Sequence, residues 1–211
     1  MNIQDIADRA TTPEEILHPG SRMLFRHWET IRGEMSAPPR DWLDLRKISA
    51  MVPFVFIMEK DRRNGFVWRL AGTRLTQLWR RSLTGKRVVE LGDESDRKAF
   101  TKLLDGVVEA HQPFVMRFRL LSALNHVIAA EMLGLPLRAR GGGIHVLGCV
   151  MPFRDSDTLG YDRLTGFEIA SARVIWTEPV PIRQQPLSAE PLFVQAQAAR
   201  SFRLINGGKA N

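Results

Sequence analysis

Apolar and polar residues alternate along several stretches of the chain, and this alternation predicts strands with one buried face. The pattern is clearest from Phe66 to Leu70 and from Phe114 to Leu121. An Asn64-Gly65 turn joins the first two strands, and Gly141–Gly143 predicts a hairpin connection before the last. Pro136 is expected to place its part of a strand at a sheet edge or outside the ladder. The predicted strands are Val52–Glu59, Phe66–Leu70, Phe114–Leu121, Val127–Leu137 and Ile144–Met151.

Three other stretches have apolar residues at helical spacing. Ser21 is expected to cap a helix that runs to about Arg32, and Gly33 ends it. Thr73 is expected to cap a short helix that ends near Arg81. The longest helix should begin at Ser95 or Asp96 and reach Ala110. Its predicted buried face is Ala99, Phe100, Leu103, Leu104, Val107 and Val108.

This order of elements predicts an α+β domain in which helices cover one five-stranded antiparallel sheet. We expect a loosely ordered N-terminus over residues 1–20, a flanking helix and proline-rich connector over 21–50, and a core over 51–153. A C-terminal extension over 154–211 follows, in which Phe167 to Ile175 has the composition of one more strand. Pro179, Pro181 and Pro186 exclude long regular structure in the rest of that extension.

Length and composition narrow the class of protein. A chain of 211 residues suits one well-buried domain with extensions. It has no apolar run of the ~18 residues that a membrane span needs. The N-terminus lacks the basic and apolar regions of a signal peptide. The single cysteine, Cys149, excludes an internal disulfide and a cysteine-based zinc site. A cytoplasmic location is expected.

Positive charge is concentrated in one part of the chain. Between Lys60 and Arg87 nine basic residues face one acid, Asp61, a balance of +8, whereas the whole chain has a net charge of +7. Such a segment attracts phosphate or an acidic partner, and it is also typical of solvent-facing helix surfaces. Nucleic acid is not the first expectation, because no recognition-helix motif accompanies the charge.

Several short motifs, in order, resemble a PAS-like family common in alphaproteobacteria. The resemblance covers about Leu24 to Phe153. It implies a PAS fold and a regulatory protein without enzyme activity of its own. Because no output domain follows in the sequence, we expect the output to pass through binding to another protein. The motifs are His27–Gly33, Pro39–Asp41, Val52–Phe56, Arg69–Thr73, Leu83–Gly85, Glu131–Leu137, Gly142 and Leu147–Gly148.

Three residues are candidates for binding a ligand between sheet and helices: His111, Glu131 and Trp79. His111 ends the long helix, where related haem-binding domains place an axial histidine. A histidine at that position also suits the negative end of the helix dipole. Glu131 is either an anchor for a ligand or an ion-pair partner. Its predicted partners are Arg69, Arg117 and Arg119.

Six residues are candidates for a protein interaction surface. Leu24, Phe25 and Trp28 give the flanking helix an apolar face, which either packs on the chain's own sheet or forms a homodimer seam. Arg74, Arg80 and Arg81 make the helix after Gly72 the centre of the charged segment.

No catalytic constellation is present in the sequence. Cys149 is expected to be a buried thiol, and neither a metal site nor a cofactor is clearly implied. The first hypothesis is a non-enzymatic regulatory module that binds a protein partner, as a homodimer or tuned by a small ligand. A dedicated sensor of a cofactor or small molecule, such as haem bound through His111, is the alternative. Nucleic-acid or nucleotide binding through Lys60–Arg87 is the third reading.

Overall fold

The computed structural model describes residues 13–88, 93–154 and 164–177, and in these ranges the chain forms one antiparallel sheet with helices on both faces. The sheet has six strands in the order β2-β1-β5-β4-β3-β6. The strands are β1 Val55–Asp61, β2 Gly65–Ala71, β3 Phe114–Ser122, β4 Val127–Arg138, β5 Ile144–Pro152 and β6 Leu164–Val174. The helices are α1 Pro19–Arg32, α2 Thr73–Trp79 and α3 Glu94–Ala110, with 3₁₀ helices at Arg40–Trp42 and Leu45–Phe54.

The sixth strand corrects the predicted count of five. Strand β6 pairs with β3 from Phe114 opposite Val174 to Ser122 opposite Leu164. It belongs to the segment that the sequence assigned to the C-terminal extension. Leu164 and Phe167 are buried, while Thr165 and Glu168 are exposed, so the strand adds one apolar face to the sheet. The fold is otherwise the predicted α+β arrangement.

Helix starts differ from the predictions by one to three residues. Helix α1 begins at Pro19, not after Ser21, because the Nδ1 atom of His18 accepts the Gly20 N–H at 3.0 Å. Proline suits this first position since its missing N–H has no partner there. Helix α2 has Gly72, not Thr73, as its N-cap. Asp93 caps α3 by accepting the Asp96 N–H at 2.7 Å.

Two apolar layers lie on opposite faces of the sheet. The inner layer packs between the sheet and helices α2 and α3, and includes Trp68, Leu75 and Phe100. The outer layer packs under α1 and the second 3₁₀ helix, and includes Trp28 and Ile48. Successive strand residues point to opposite faces, so β4 and β5, which are covered on both sides, are almost continuously buried.

Pro136 lies inside β4 and pairs with Val146 on β5. The ladder between β3 and β4 has already ended at Gly134, so the missing N–H of Pro136 removes no bond to β3. The Pro136 carbonyl instead accepts the indole N–H of Trp28 at 2.8 Å. The proline therefore lies where β4 no longer pairs with β3: Trp28 bonds its carbonyl, and two residues on, the Arg138 N–H donates to the Pro38 carbonyl at 2.9 Å.

Candidate functional site

The space between the sheet and helices α2 and α3 is filled by the chain's own rings. Phe114, Gly134, Gly148 and Phe56 stand opposite one another on β3, β4, β5 and β1. A Cβ on Gly134 would lie 2.2 Å from the Phe114 ring, and one on Gly148 would lie 2.3 Å from the Phe56 ring. The two rings therefore lie over the two glycines. We call these four residues the ring–glycine row.

A small cavity lies between the sheet and the helices, beside Trp79. It measures about 20 Å³, which is room for about one water molecule. Trp79 lines this cavity and is half-buried, with its ring 6.0 Å from that of Trp68. Trp79 thus lies where the sequence predicted a ligand contact, but the described residues leave no ligand-sized space beside it.

His111 is the C-cap of α3 and has a left-handed backbone, with φ of 54°. Its Nδ1 atom lies 2.7 Å from the hydroxyl of Ser36, in the segment after α1. The imidazole is therefore held by a hydrogen bond at the helix end. Haem ligation by His111 stays a prediction.

Glu131 is fully buried on the outer face, and its carboxylate holds the chain that enters α1. One oxygen accepts the Leu17 N–H and the other the His18 N–H, each at 2.9 Å. Arg117 is the nearest described cation, with Nε at 3.8 Å. The other predicted partners are engaged elsewhere, Arg69 with Glu59 and Arg119 with Glu168.

The sequence missed this role for Glu131 because residues 1–20 were predicted to be loosely ordered. In the described part of that segment, Ile16 is completely buried in the outer layer. The Arg117 guanidinium also donates to the Glu15 carbonyl at 2.6 Å. The signal in the sequence was an acid within a strand of apolar residues. The prediction considered only side chains as partners of this acid, whereas its hydrogen-bond partners are backbone N–H groups.

Leu24, Phe25 and Trp28 are buried against the chain's own sheet, with exposed fractions of 0%, 3% and 1%. The Arg32 guanidinium lies 5.1 Å from the Trp28 ring centre, and its Nε binds Glu29 at 2.8 Å. These three apolar side chains are core residues here, and they offer no exposed face to a second copy.

Basic side chains line the outside of β2. The segment after α2 runs beside this strand: the Trp68 N–H donates to the Lys86 carbonyl at 3.0 Å, and Val67 forms a bridge with Arg87. Arg62 and Arg63 lie in the β1–β2 hairpin, Arg74 lies in α2, and Arg80 and Arg81 follow α2 in the chain. We call the exposed bases together the cationic edge: Arg62, Arg63, Arg74, Arg80, Arg81, Lys86 and Arg87.

Lys60 and Arg69 of the same segment lie beside acids of neighbouring elements. Lys60 contacts Asp105 and Glu109 of α3, each at 2.7 Å. Arg69 contacts Glu59 at 3.4 Å, and His145 Nε2 lies 3.5 Å from the same Glu59 oxygen. Lys60 and Arg69 are therefore left out of the cationic edge, because acids of α3 and β1 lie beside them.

The described residues hold no group of three or more metal-binding side chains. Cys149 is buried, which raises the pKa of its thiol to about 12. A thiol with such a pKa is protonated and poorly nucleophilic at neutral pH.

A PAS architecture is thus indicated by a curled antiparallel sheet with helices on its inner face and a flanking helix on its outer face. A family model described as "PAS domain" matches residues 16–151. The chain belongs to the PAS domain family, a class of sensory and regulatory modules. No curated protein matches the chain. In the described parts of the chain, no helix is long and apolar enough to cross a membrane.

Proposed function

We propose that this PAS domain is a non-enzymatic regulatory module that binds an acidic surface of a partner protein through the cationic edge. The observation that carries the proposal is that edge, because its seven bases are all exposed and two of them, Lys86 and Arg87, run alongside β2. A concentration of charge of one sign on an exposed surface steers and selects partners of the opposite sign.

The filled inner face supports a protein partner over a ligand held between sheet and helices. Ligand pockets for small molecules have volumes of roughly 300–1,000 Å³, whereas the inner cavity has about 20 Å³. Signalling by the module then depends on a surface. Partner binding would shift the population between alternative arrangements of α2 and the segment that follows it.

A charge-reversal experiment tests the proposal. The double variant Arg74→Glu/Lys86→Glu changes the cationic edge, and Lys102→Glu/Arg173→Glu makes the same change of charge at exposed positions of α3 and β6. Proteins retained by the immobilised wild-type chain from native lysate are quantified for all three forms. We expect the edge variant to lose them and the control to keep them. Equal retention by the edge variant, or no specific retention by the wild type, contradicts the proposal.

Nucleic acid or a phosphorylated nucleotide is a second candidate ligand for the same edge. Binding of a labelled single-stranded oligonucleotide is measured by fluorescence anisotropy at low and high salt. Binding through several phosphate contacts falls steeply, with log affinity linear in log salt. Tight, strongly salt-dependent binding that the edge variant loses favours this candidate over a protein partner. If the oligonucleotide binds weakly, and equally weakly to both double variants, binding of a protein partner stays the proposed function.

A further inference from the structure

A groove of about 360 Å³ opens on the outer face of the sheet, far larger than the inner cavity. Its floor is formed by Val55 and Ile57 of β1 and by Leu70 of β2. Ile57 and Leu70 are register partners, so their side chains project from the same face. Leu45 and Pro53 of the second 3₁₀ helix form part of its wall.

The groove is open to solvent and its surface is apolar. Helix α1 covers the outer face over β4 and β5, and the groove lies beyond it over β1 and β2. Leu45 and Leu70 on its lining are 43% and 39% exposed. Gly72 closes one end, because a Cβ there would lie 2.2 Å from the Pro53 carbonyl oxygen. A volume of this size, with mostly apolar walls, is that of a small-molecule site.

One cation, Arg40, lines the groove, and its guanidinium makes no ion pair or side-chain hydrogen bond with any residue that the structure describes. The acids next to Arg40 in the chain are engaged elsewhere, since Asp41 binds Arg140 at 2.7 Å and Asp44 binds Arg46 at 3.0 Å. The hydroxyl of Thr73 is a second polar group on the lining.

We infer that this outer groove binds a small apolar monocarboxylate, with its carbon chain on Val55, Ile57 and Leu70 and its carboxylate at Arg40. An apolar body and one anionic end match the two features of the lining. The site is separate from the cationic edge and does not depend on the partner proposed above. It would provide the small-molecule input that the filled inner face leaves no room for.

The test is a titration of the full-length protein with decanoate, decanol and acetate, followed by amide NMR shifts. Decanoate should shift Ile57, Leu70 and Gly72, and not Met116 or Met132 on the inner face. We expect decanoate to bind about fivefold tighter than decanol, the effect of one exposed ion pair. Acetate, which has the charge without the chain, should not bind detectably.

Variants separate the two parts of the site. Arg40→Gln should weaken decanoate about fivefold and leave decanol unchanged. Leu70→Gln should weaken both, and Leu45→Gln repeats that measurement at a second exposed position. Arg62→Gln, on the hairpin, is the matched control and should bind as the wild type does.

Three results of the titration overturn the inference. Decanoate shifts no groove amide, or it shifts the inner-face methionines, or decanol binds as tightly as decanoate in the wild type. Sedimentation of the same variants identifies a different occupant. A dimer that Leu70→Gln dissociates and decanoate leaves intact assigns the groove to a second copy of the chain, and also overturns the inference.

Discussion

Glu131 has an unusual set of partners for a buried carboxylate. Two backbone N–H groups at the start of α1 donate to it, and the Arg117 guanidinium lies 3.8 Å away. A buried charge is tolerated when hydrogen bonds and an opposite charge replace its lost water. The residue therefore attaches the chain before α1 to the outer face of the sheet, where a side-chain ion pair alone would fix only one point.

Replacing Glu131 with Gln should destabilise the domain. The amide offers one acceptor oxygen where two N–H groups must be satisfied, and its NH₂ group faces a donor. We expect a loss of about 1–3 kcal/mol in the free energy of unfolding, measured in urea. Glu168→Gln, at an exposed pair with Arg119, is the control and should cost at most about 1 kcal/mol. Equal stability of wild type and Glu131→Gln would show that the two N–H bonds contribute nothing.

Two variants of His111 distinguish a structural role of this residue from a role in binding haem. Its left-handed backbone favours glycine and disfavours alanine by about 1 kcal/mol. We expect His111→Gly to unfold at a higher urea concentration than His111→Ala, although both remove the imidazole. If haem added to the purified wild type gives a Soret band that both variants lose, His111 is a ligand. With no band in any form, the haem hypothesis fails.

At the scale of elements, the sheet was predictable and its inner surface was not. Alternation from Phe66 to Leu70 and from Phe114 to Leu121 predicted β2 and most of β3, because a half-buried strand needs that pattern. The sequence also predicted the Asn64-Gly65 turn. It did not show that Gly134 and Gly148 would stand opposite each other, since cross-strand register depends on contacts between distant parts of the chain.

Replacing a glycine of the ring–glycine row with alanine should destabilise the domain, and the cost should depend on which glycine is replaced. Gly148→Ala would place a Cβ 2.1 Å from the Leu133 carbonyl oxygen of the next strand, and Gly134→Ala would place one 2.2 Å from the Phe114 ring. We expect each to cost about 1–3 kcal/mol, with Gly148→Ala the costlier because backbone cannot move aside. Gly141→Ala, with nothing within 4 Å, is the control and should change stability by less than about 0.5 kcal/mol. Urea unfolding of the three variants measures this, and equal stabilities would contradict it.

At the scale of the whole molecule, one buried and two half-buried histidines link folding to pH. Burial lowers the pKa of His18, His27 and His145. The unfolded chain then binds more protons than the folded one as pH falls through about 6.5. Stability that is fully present above this pH must therefore decrease below it.

Urea midpoints between about pH 7.5 and pH 5.5 test this dependence on either side of the ordinary histidine pKa. We expect the midpoint to fall with pH, and to fall less steeply in His27→Gln, which removes one of the three groups. A midpoint that stays constant or rises as the solution is acidified would contradict the sign of these pKa shifts.

The candidate surfaces were only partly predictable. Charge counting found Arg74, Arg80 and Arg81, because unbalanced charge is visible in any single sequence. It could not show that Lys60 would pair with Asp105 and Glu109 of α3, which follow it in the chain by 45 and 49 residues. The apolar face of α1 was also visible, but whether Trp28 would meet its own sheet depended on the anchoring of the preceding segment by Glu131.

The ring–glycine row imposes a free-energy cost on any ligand that would bind in the inner compartment. A ligand must first displace the ring of Phe56 or Phe114. Removing one such ring from its place in the core costs about 3–5 kcal/mol. The conformation with a displaced ring is then rarely populated. Because only this conformation can bind, the observed affinity of a ligand for the inner compartment is reduced by roughly a hundredfold or more. The two phenylalanine rings thus compete with any ligand for the same space, and weakly binding apolar molecules should be excluded from the domain's interior.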